Sequence, residues 1–371
     1  MPRANEILLD REVGHQVNLQ RLSNGVVRRM IALLNRLDAD LFAQITTALE
    51  RLPPESFTVE RLEGLLSSIR ALNAQAYDAI VRALPPELRQ ITDYEAGFQL
   101  KLFESAIPQQ VIAQAGVNAV NAQQVYAAAL SRPFQGRLLS EWMQSLEADR
   151  GARVRDAIRI GYGEGQTLGQ IVTRLRGTRA RNYEDGIIEI DRRNAEAVVR
   201  TAVSHVAANT KDLFYAANKD LVRAVQWLST LDTRTTLQCQ VRDGLTYTPE
   251  SHKPIDHGVP WLSGPGKLHW NCRSSSVPIL RSFRDLGIPI DELSETTRAS
   301  MDGQVPAETT YNEWLTKQSA ARQDEVLGPT RGKLYRNGGL PIDRFTNDKG
   351  VFLTLDELRK MDAAAFNRAG V

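Results

Sequence analysis

The chain has 371 residues, of which 42% are hydrophobic and 24% charged, and 46 Lys and Arg against 44 Asp and Glu leave a net charge of +2. That size allows roughly two or three domains with cores of their own, and the near balance of charge excludes a protein that coats nucleic acid by bulk charge. Two cysteines, Cys239 and Cys272, exclude a disulfide-stapled secreted scaffold, and no apolar run approaches the ~18 residues of a membrane span.

The opening MPRANEILLDREVGHQ has no apolar core segment and does not read as a signal peptide, so the chain is expected to be made in a cytoplasm. From Val26 the apolar residues Val26, Met30, Leu33, Leu37, Leu41, Ile45 and Leu49 recur at steps of three and four, the mark of one buried helical face. Leu52–Glu55, LPPE, should stop this helix, because proline cannot continue the hydrogen-bond ladder. A second helix pair is expected over VERLEGLLSSIRALNAQAYDAIVRAL, after which the same LPPE returns at Leu84–Glu87.

Ile107-Pro108 and Ser131-Arg132-Pro133 break the next helical stretches, and the helical pattern resumes after Gly136. The cluster Gly161, Gly163 and Gly165 has no strand before it, so it reads as a turn between helices and not as a phosphate cradle. Thr167 and Gln170 fit a capping box, and DRRNAEAVVRTAVSHVAANTKDLFYAANKD should form a long helix ending before Val222. His205, on that helix, is expected to be a packed or rim residue.

Near Val225 the texture changes to Thr, Trp, Val and Tyr, with Asp243-Gly244 as a turn. Two or three short strands are expected between about 222 and 282. In the tail, TYNEWLTKQSAARQDEVLG reads as one helix stopped by Gly328-Pro329, Thr354 and Glu357 as a capping box, and RGKLYRNGGLPIDRFTNDKGVF as a hairpin or surface loop. The fold expected is mainly α, with a helical N-terminal region (1–135), a second helical part (136–221), a small α/β domain of short strands (222–282), and an extended tail with short helices (283–371) that packs on the small domain or a partner.

The residues able to carry chemistry gather around the small domain. Cys239, His269 and Cys272, with His252 or His257 as a fourth, offer the two sulfurs and two nitrogens that a tetrahedral structural zinc takes. Against this stands a plainer reading in which the cysteines are small buried side chains. Cys272 as a nucleophile would need a base, an orienting group and an oxyanion site that no motif supplies. Asp232 with Arg234 can form a charged pair, and Arg273 can instead meet Asp232 and hold two loops in register.

These residues form an ordered set: Arg200-Thr201, Trp227-Leu228-Ser229, Asp232-x-Arg234-Thr235, Cys239, Asp243-Gly244 and His269-x-Asn271-Cys272-Arg273. In order and spacing, the set over about 150–282 resembles the phage Mu F-like minor head protein family, also called head morphogenesis proteins. The tail from TYNEWLTKQ to YRNGGL also resembles that of some phage members. Where many members have Pro-x-His-Pro-x-Cys-Arg, Leu268 and Trp270 flank His269 here, and Thr235, Thr236 and Leu237 stand where some carry another cysteine. The resemblance implies a structural virion protein, not an enzyme. It would be present in few copies at the portal vertex of the head, with the portal protein, other head proteins and packaged double-stranded DNA as partners and no membrane. A metal-dependent nuclease or hydrolase acting on phage DNA is the enzyme alternative, and it needs a water-accessible metal with an open position. A DNA-binding module is the third reading, with RLRGTRARN (Arg174–Asn182) and Asp191-Arg192-Arg193 as the contact candidates.

Overall fold

A computed structural model describes residues 4–50, 59–288, 297–306, 309–347 and 349–371. The first Leu-Pro-Pro-Glu, at 52–55, lies outside these residues. Helix dominates. In chain order come α1 (Ala4–Glu50), α2 (Val59–Ala106), α3 (Gln109–Ala115), α4 (Ala122–Leu130), α5 (Leu139–Gly163), α6 (Leu168–Arg176) and α7 (Ile187–Ala217). The strands β1 (Val222–Leu228), β2 (Thr246–Tyr247) and β3 (Ser275–Leu280) follow, with α8 (Leu237–Gln240) between the first two. The tail adds a hairpin, β4 (Thr297–Ser300) and β5 (Gly303–Pro306), then α9 (Tyr311–Thr316), α10 (Ala320–Leu327), α11 (Pro329–Arg336), α12 (Leu355–Met361) and α13 (Ala363–Ala369).

The chain divides into two compact units, each assembled from stretches that are not consecutive. One unit takes residues 1–20, 92–126 and 204–371, and the other takes 21–91 and 127–203.

The second unit is a helical assembly. Leu41, Ile45, Leu66, Ile69, Val154, Ile158, Ile171, Leu175 and Ile188 form its core. The buried stripe of α1 here departs from the sequence reading. Leu33 and Leu37 are half-buried, while Leu34 and Asp38 take the core-facing positions. Asp38 is tolerated there because it is paired: Arg150 bonds one carboxylate oxygen and Arg192 the other at 3.2 Å. The Leu49 side chain lies outside the described residues.

The second Leu-Pro-Pro-Glu does not break its helix. α2 runs through Pro85 and Pro86 to Ala106 as one helix where a pair ending at Leu84 was expected. Leu84 and Leu88, four residues apart and both buried, hold the flanks of the proline pair on one apolar face. The carbonyls that lose their helical partners belong to Val81 and Arg82, both exposed residues.

In the first unit β1 is the centre of a three-stranded antiparallel sheet of order β2-β1-β3, with Val225 opposite Tyr247 and Pro278, and Trp227 opposite Ser276. Pro278 is accommodated because β3 is an edge strand. The sheet packs into a core of Phe103, Phe214, Tyr215, Val225, Trp227, Tyr247 and Trp261 that includes both cysteines. A second core, of Tyr311, Trp314, Leu315, Leu334, Phe345, Leu358 and Phe366, takes in Leu231 and joins the tail to the small domain.

The tail corrects two expectations. The stretch read as one helix is two, because Ser319 caps a new helix start by accepting from the Arg322 amide, and Gly328-Pro329 ends α10 and begins α11. The stretch read as a hairpin or loop begins with the last turns of α11 and holds a 3₁₀ turn over Ile342–Phe345, and an antiparallel bridge joins Thr346 to Phe352. Both capping boxes read from the sequence are present, at Thr167/Gln170 and Thr354/Glu357.

Candidate metal centre and its polar frame

Three short elements deliver the motif side chains. Thr236 opens α8, and this one-turn helix points Cys239 into the core. A tight turn then brings His269 and Cys272 together: the Cys272 amide donates to the His269 carbonyl at 3.2 Å, and Asn271 adopts a left-handed φ of 56°. Asparagine suits that conformation better than most residues. β3 begins three residues later, so the turn is anchored on the sheet.

Cys239 Sγ lies 3.8 Å from Cys272 Sγ and 3.3 Å from His269 Nε2. A tetrahedral zinc with Zn–S of about 2.3 Å and Zn–N of about 2.0 Å requires separations of about 3.8 Å between sulfurs and about 3.5 Å between sulfur and nitrogen. Both separations from Cys239 fit, and all three donor atoms lie within 4.8 Å of one another. Among the described residues, these are the cysteine, histidine and carboxylate side chains grouped closely enough to share a metal ion. His269 Nδ1 sits 2.9 Å from the Trp270 carbonyl, so it carries the proton and leaves Nε2 as the donor facing the sulfurs. Thr236 Oγ1, 2.9 Å from Nε2, stands beside the fourth position.

His252 and His257 are held elsewhere and do not join this group. His257 bonds the Thr246 carbonyl at 2.9 Å and accepts from the Val259 amide, so both its nitrogens are engaged. His252 stacks on Trp261 with ring centroids 4.5 Å apart and its Nε2 3.8 Å from Asp212. Neither histidine supplies a fourth donor beside Cys239, His269 and Cys272.

Without a metal the cluster shares its protons unevenly. The hydrogen bond from Cys239 draws the Cys272 thiol well below its ordinary range, and the same bond, with burial, pushes Cys239 up. Burial works to lower His269, but the hydrogen bond and charge of Cys272 outweigh it and the net shift is upward. Charge thus concentrates on one sulfur and the imidazole, which is the state a thiophilic cation displaces. Both cysteines are 1% exposed, so neither sulfur can reach a substrate carbonyl unless the turn opens.

A polar frame surrounds the three donors. Asp232 is gripped by both terminal nitrogens of Arg273, one at 2.8 Å, and accepts from the Thr235 hydroxyl and the Arg234 amide. Burial alone would raise the Asp232 carboxyl, but Arg273 outweighs it and holds the group below its usual range. Arg234 contributes only its backbone to this frame and is itself exposed. Asp243 does more than turn the chain. One oxygen accepts from the Ser229 amide at the end of β1 and the other from the Tyr311 amide at the start of α9. The Tyr311 hydroxyl donates to the Asp232 carbonyl at 2.7 Å, so the tail locks the motif from behind. A groove of about 250 Å³, lined by Val13, Gln16 and Val17 of α1 with Leu228, Thr230 and Arg273, borders this frame.

The sequence reading missed two buried charged groups. Lys267 reaches Asp212 at 2.6 Å and Asn209 at 3.1 Å, and Asn209 also meets the buried His205. Lys211 reaches Glu12 at 2.5 Å, Ser275 at 2.8 Å and, at 3.9 Å, Glu95, which His15 also bonds at 2.7 Å. Nothing local marks Glu12 or Glu95, each one charge among many on a long helix.

No family model, no curated protein and no solved structure matches this chain.

Proposed function

We propose that the chain is a structural head protein of a tailed bacteriophage, associating with the portal vertex during head morphogenesis, and that Cys239, His269 and Cys272 hold a structural zinc ion. The observation that carries this reading is the convergence of the motif. Asp232, Cys239, His269, Cys272 and Arg273, the residues on which the resemblance to Mu F-like minor head proteins rests, gather from two separate stretches into one buried clasp. A clasp of this kind stiffens a small sheet domain without offering a reactive group, which suits a part that must keep its shape against a partner. The tail packed behind it through Tyr311 extends the same rigid piece.

The test is co-expression with the portal protein encoded in the same genome, followed by purification through a tag on the portal and metal analysis of the complex. A stoichiometric complex carrying zinc is the expected result. Failure to associate, together with metal-dependent cleavage of DNA by the free chain, would replace this reading with that of a nuclease.

A further inference from the structure

The arginine-rich stretch of the second unit is a built loop and not a frayed end. Thr178 and Asp185 close it: the Thr178 amide and hydroxyl each donate to Asp185 at 2.8 Å. The Tyr183 amide returns to the Thr178 carbonyl at 2.9 Å. Gly177, at φ 92°, and Gly186 let the two ends touch, since a Cβ at Gly177 would stand 2.7 Å from the Tyr183 carbonyl oxygen, and one at Gly186 would strike the backbone of Arg176.

At its tip, two successive non-glycine residues hold left-handed backbone, Asn182 at φ 52° and Tyr183 at φ 64°. For a bulky residue this is uncommon and costs energy, and such strain gathers at functional positions. Its effect here is to turn an aromatic ring outward, 37% exposed, with the Arg176 guanidinium 5.1 Å from its centre.

Arg176, Arg179 and Arg181 are all exposed, and among the described residues none of the three enters an ion pair. Of the neighbouring acids, Glu164 pairs with Arg174, and Asp38 and Glu189 with Arg192, while Asp185 accepts from Thr178 and also feels the charge of Arg181. Glu184 and Asp185 are both exposed acids of the loop, and the Glu184 carbonyl accepts from Arg193 at 2.9 Å. Arg176 and Tyr183 also line an open cleft of about 700 Å³, so this guanidinium and the ring stand at a concave edge.

We propose that this loop is a contact for single-stranded nucleic acid, with Arg179 and Arg181 on backbone phosphates and Tyr183 stacked against a base. Guanidinium groups alone would suit any polyanion. An outward aromatic ring interleaved with them suits an unstacked base, which duplex DNA and an anionic membrane do not present. The inference rests on the second unit alone and stands or falls apart from the portal reading.

The test uses the full-length chain and fluorescence anisotropy with a labelled DNA strand of about 20 nucleotides, the corresponding duplex, and phosphatidylserine vesicles as competitor. Three outcomes are expected. The single strand binds in preference to the duplex. Replacing Arg179 and Arg181 together by alanine weakens binding about tenfold and reduces the salt slope by about 1.4, two phosphates at about 0.7 each. Tyr183→Leu weakens the single strand by about fivefold or more and leaves any duplex binding unchanged. All three side chains are exposed, and unchanged melting curves will show that the variants fold. No binding to the single strand, binding untouched by the arginine changes, equal loss on both DNA forms with Tyr183→Leu, or displacement by vesicles in place of DNA preference would each overturn the proposal.

Discussion

Replacing Lys211 by methionine tests the charge logic of the first unit directly. Methionine keeps the unbranched stem and removes the cation between Glu12, at 2.5 Å, and Glu95, at 3.9 Å, both fully buried. Two carboxylates cannot stay ionised side by side in that setting, so one takes up a proton. The cost is bounded by that proton: bringing an ordinary glutamate with a pKa of about 4.3 to the neutral form at pH 7 takes about 3.7 kcal/mol at 1.36 kcal/mol per unit. Losing the bond to Ser275, at 2.8 Å, adds about 1 kcal/mol.

The dependence on pH is the sharper signature. In the wild-type chain, burial would raise the Glu95 carboxyl, but Lys211 and His15 outweigh it and hold it below its ordinary 4.5. Its contribution is therefore present above that value and lost as pH falls through the depressed one. Burial opposes the charge of Lys211, but Glu12 and Glu95 outweigh it and raise the lysine above 10.5, so its contribution is present below that value and lost at higher pH. Between about pH 4.5 and 7 these two groups leave wild-type stability flat, whereas in the variant stability climbs by about 1.4 kcal/mol per pH unit of acidification as the protonation cost shrinks. Urea unfolding followed by tryptophan fluorescence reads this unit, which holds Trp227, Trp261, Trp270 and Trp314, with Trp142 alone in the other. A loss below about 1 kcal/mol at pH 7, or a loss that does not shrink on acidification, would refute the reasoning.

Metal content comes next: the purified chain should carry zinc, Cys239→Ser or Cys272→Ser should abolish it, and chelation should lower the melting temperature of the wild type only. Because His269 and Cys239 hold their protons more tightly than usual in the metal-free clasp, zinc affinity measured by competition should fall steadily as pH drops. Asp232→Ala strands the Arg273 guanidinium and should cost about 2–4 kcal/mol in urea unfolding, whereas Arg234→Ala, at an exposed side chain, should stay within about 0.5 kcal/mol. Gly186→Ala drives a methyl group into the backbone of Arg176 and should cost the second unit about 1–3 kcal/mol, followed through Trp142.

The features legible in the sequence are those whose causes lie within about four residues. The capping boxes at Thr167 and Thr354, the turn at Asp243-Gly244 and the end of α7 before Val222 depend on near neighbours, and each is present. Even this local reading needs its surroundings. Pro85 and Pro86 sit inside a helix where the residues whose carbonyls they leave unbonded, Val81 and Arg82, are exposed, and exposure is a property of the folded chain.

The clasp was half legible. The cysteines and His269 stood out as the scarce residue types and Arg273 was read as a partner for Asp232, as it is, but only the fold separates the three donors from His252 and His257. The buried charges were not legible at all. Glu12 and Lys211 are 199 positions apart, and each looks like one more solvated charge on a long helix. The sequence by itself determined the capped helix starts at Thr167 and Thr354, the end of α7 and the stretch that holds the short strands, because those choices are settled by neighbouring residues along the chain. Which charges are taken out of water, and which partners they meet there, was decided only when distant helix faces came together, since a charge can be buried only where the fold delivers its counter-charge.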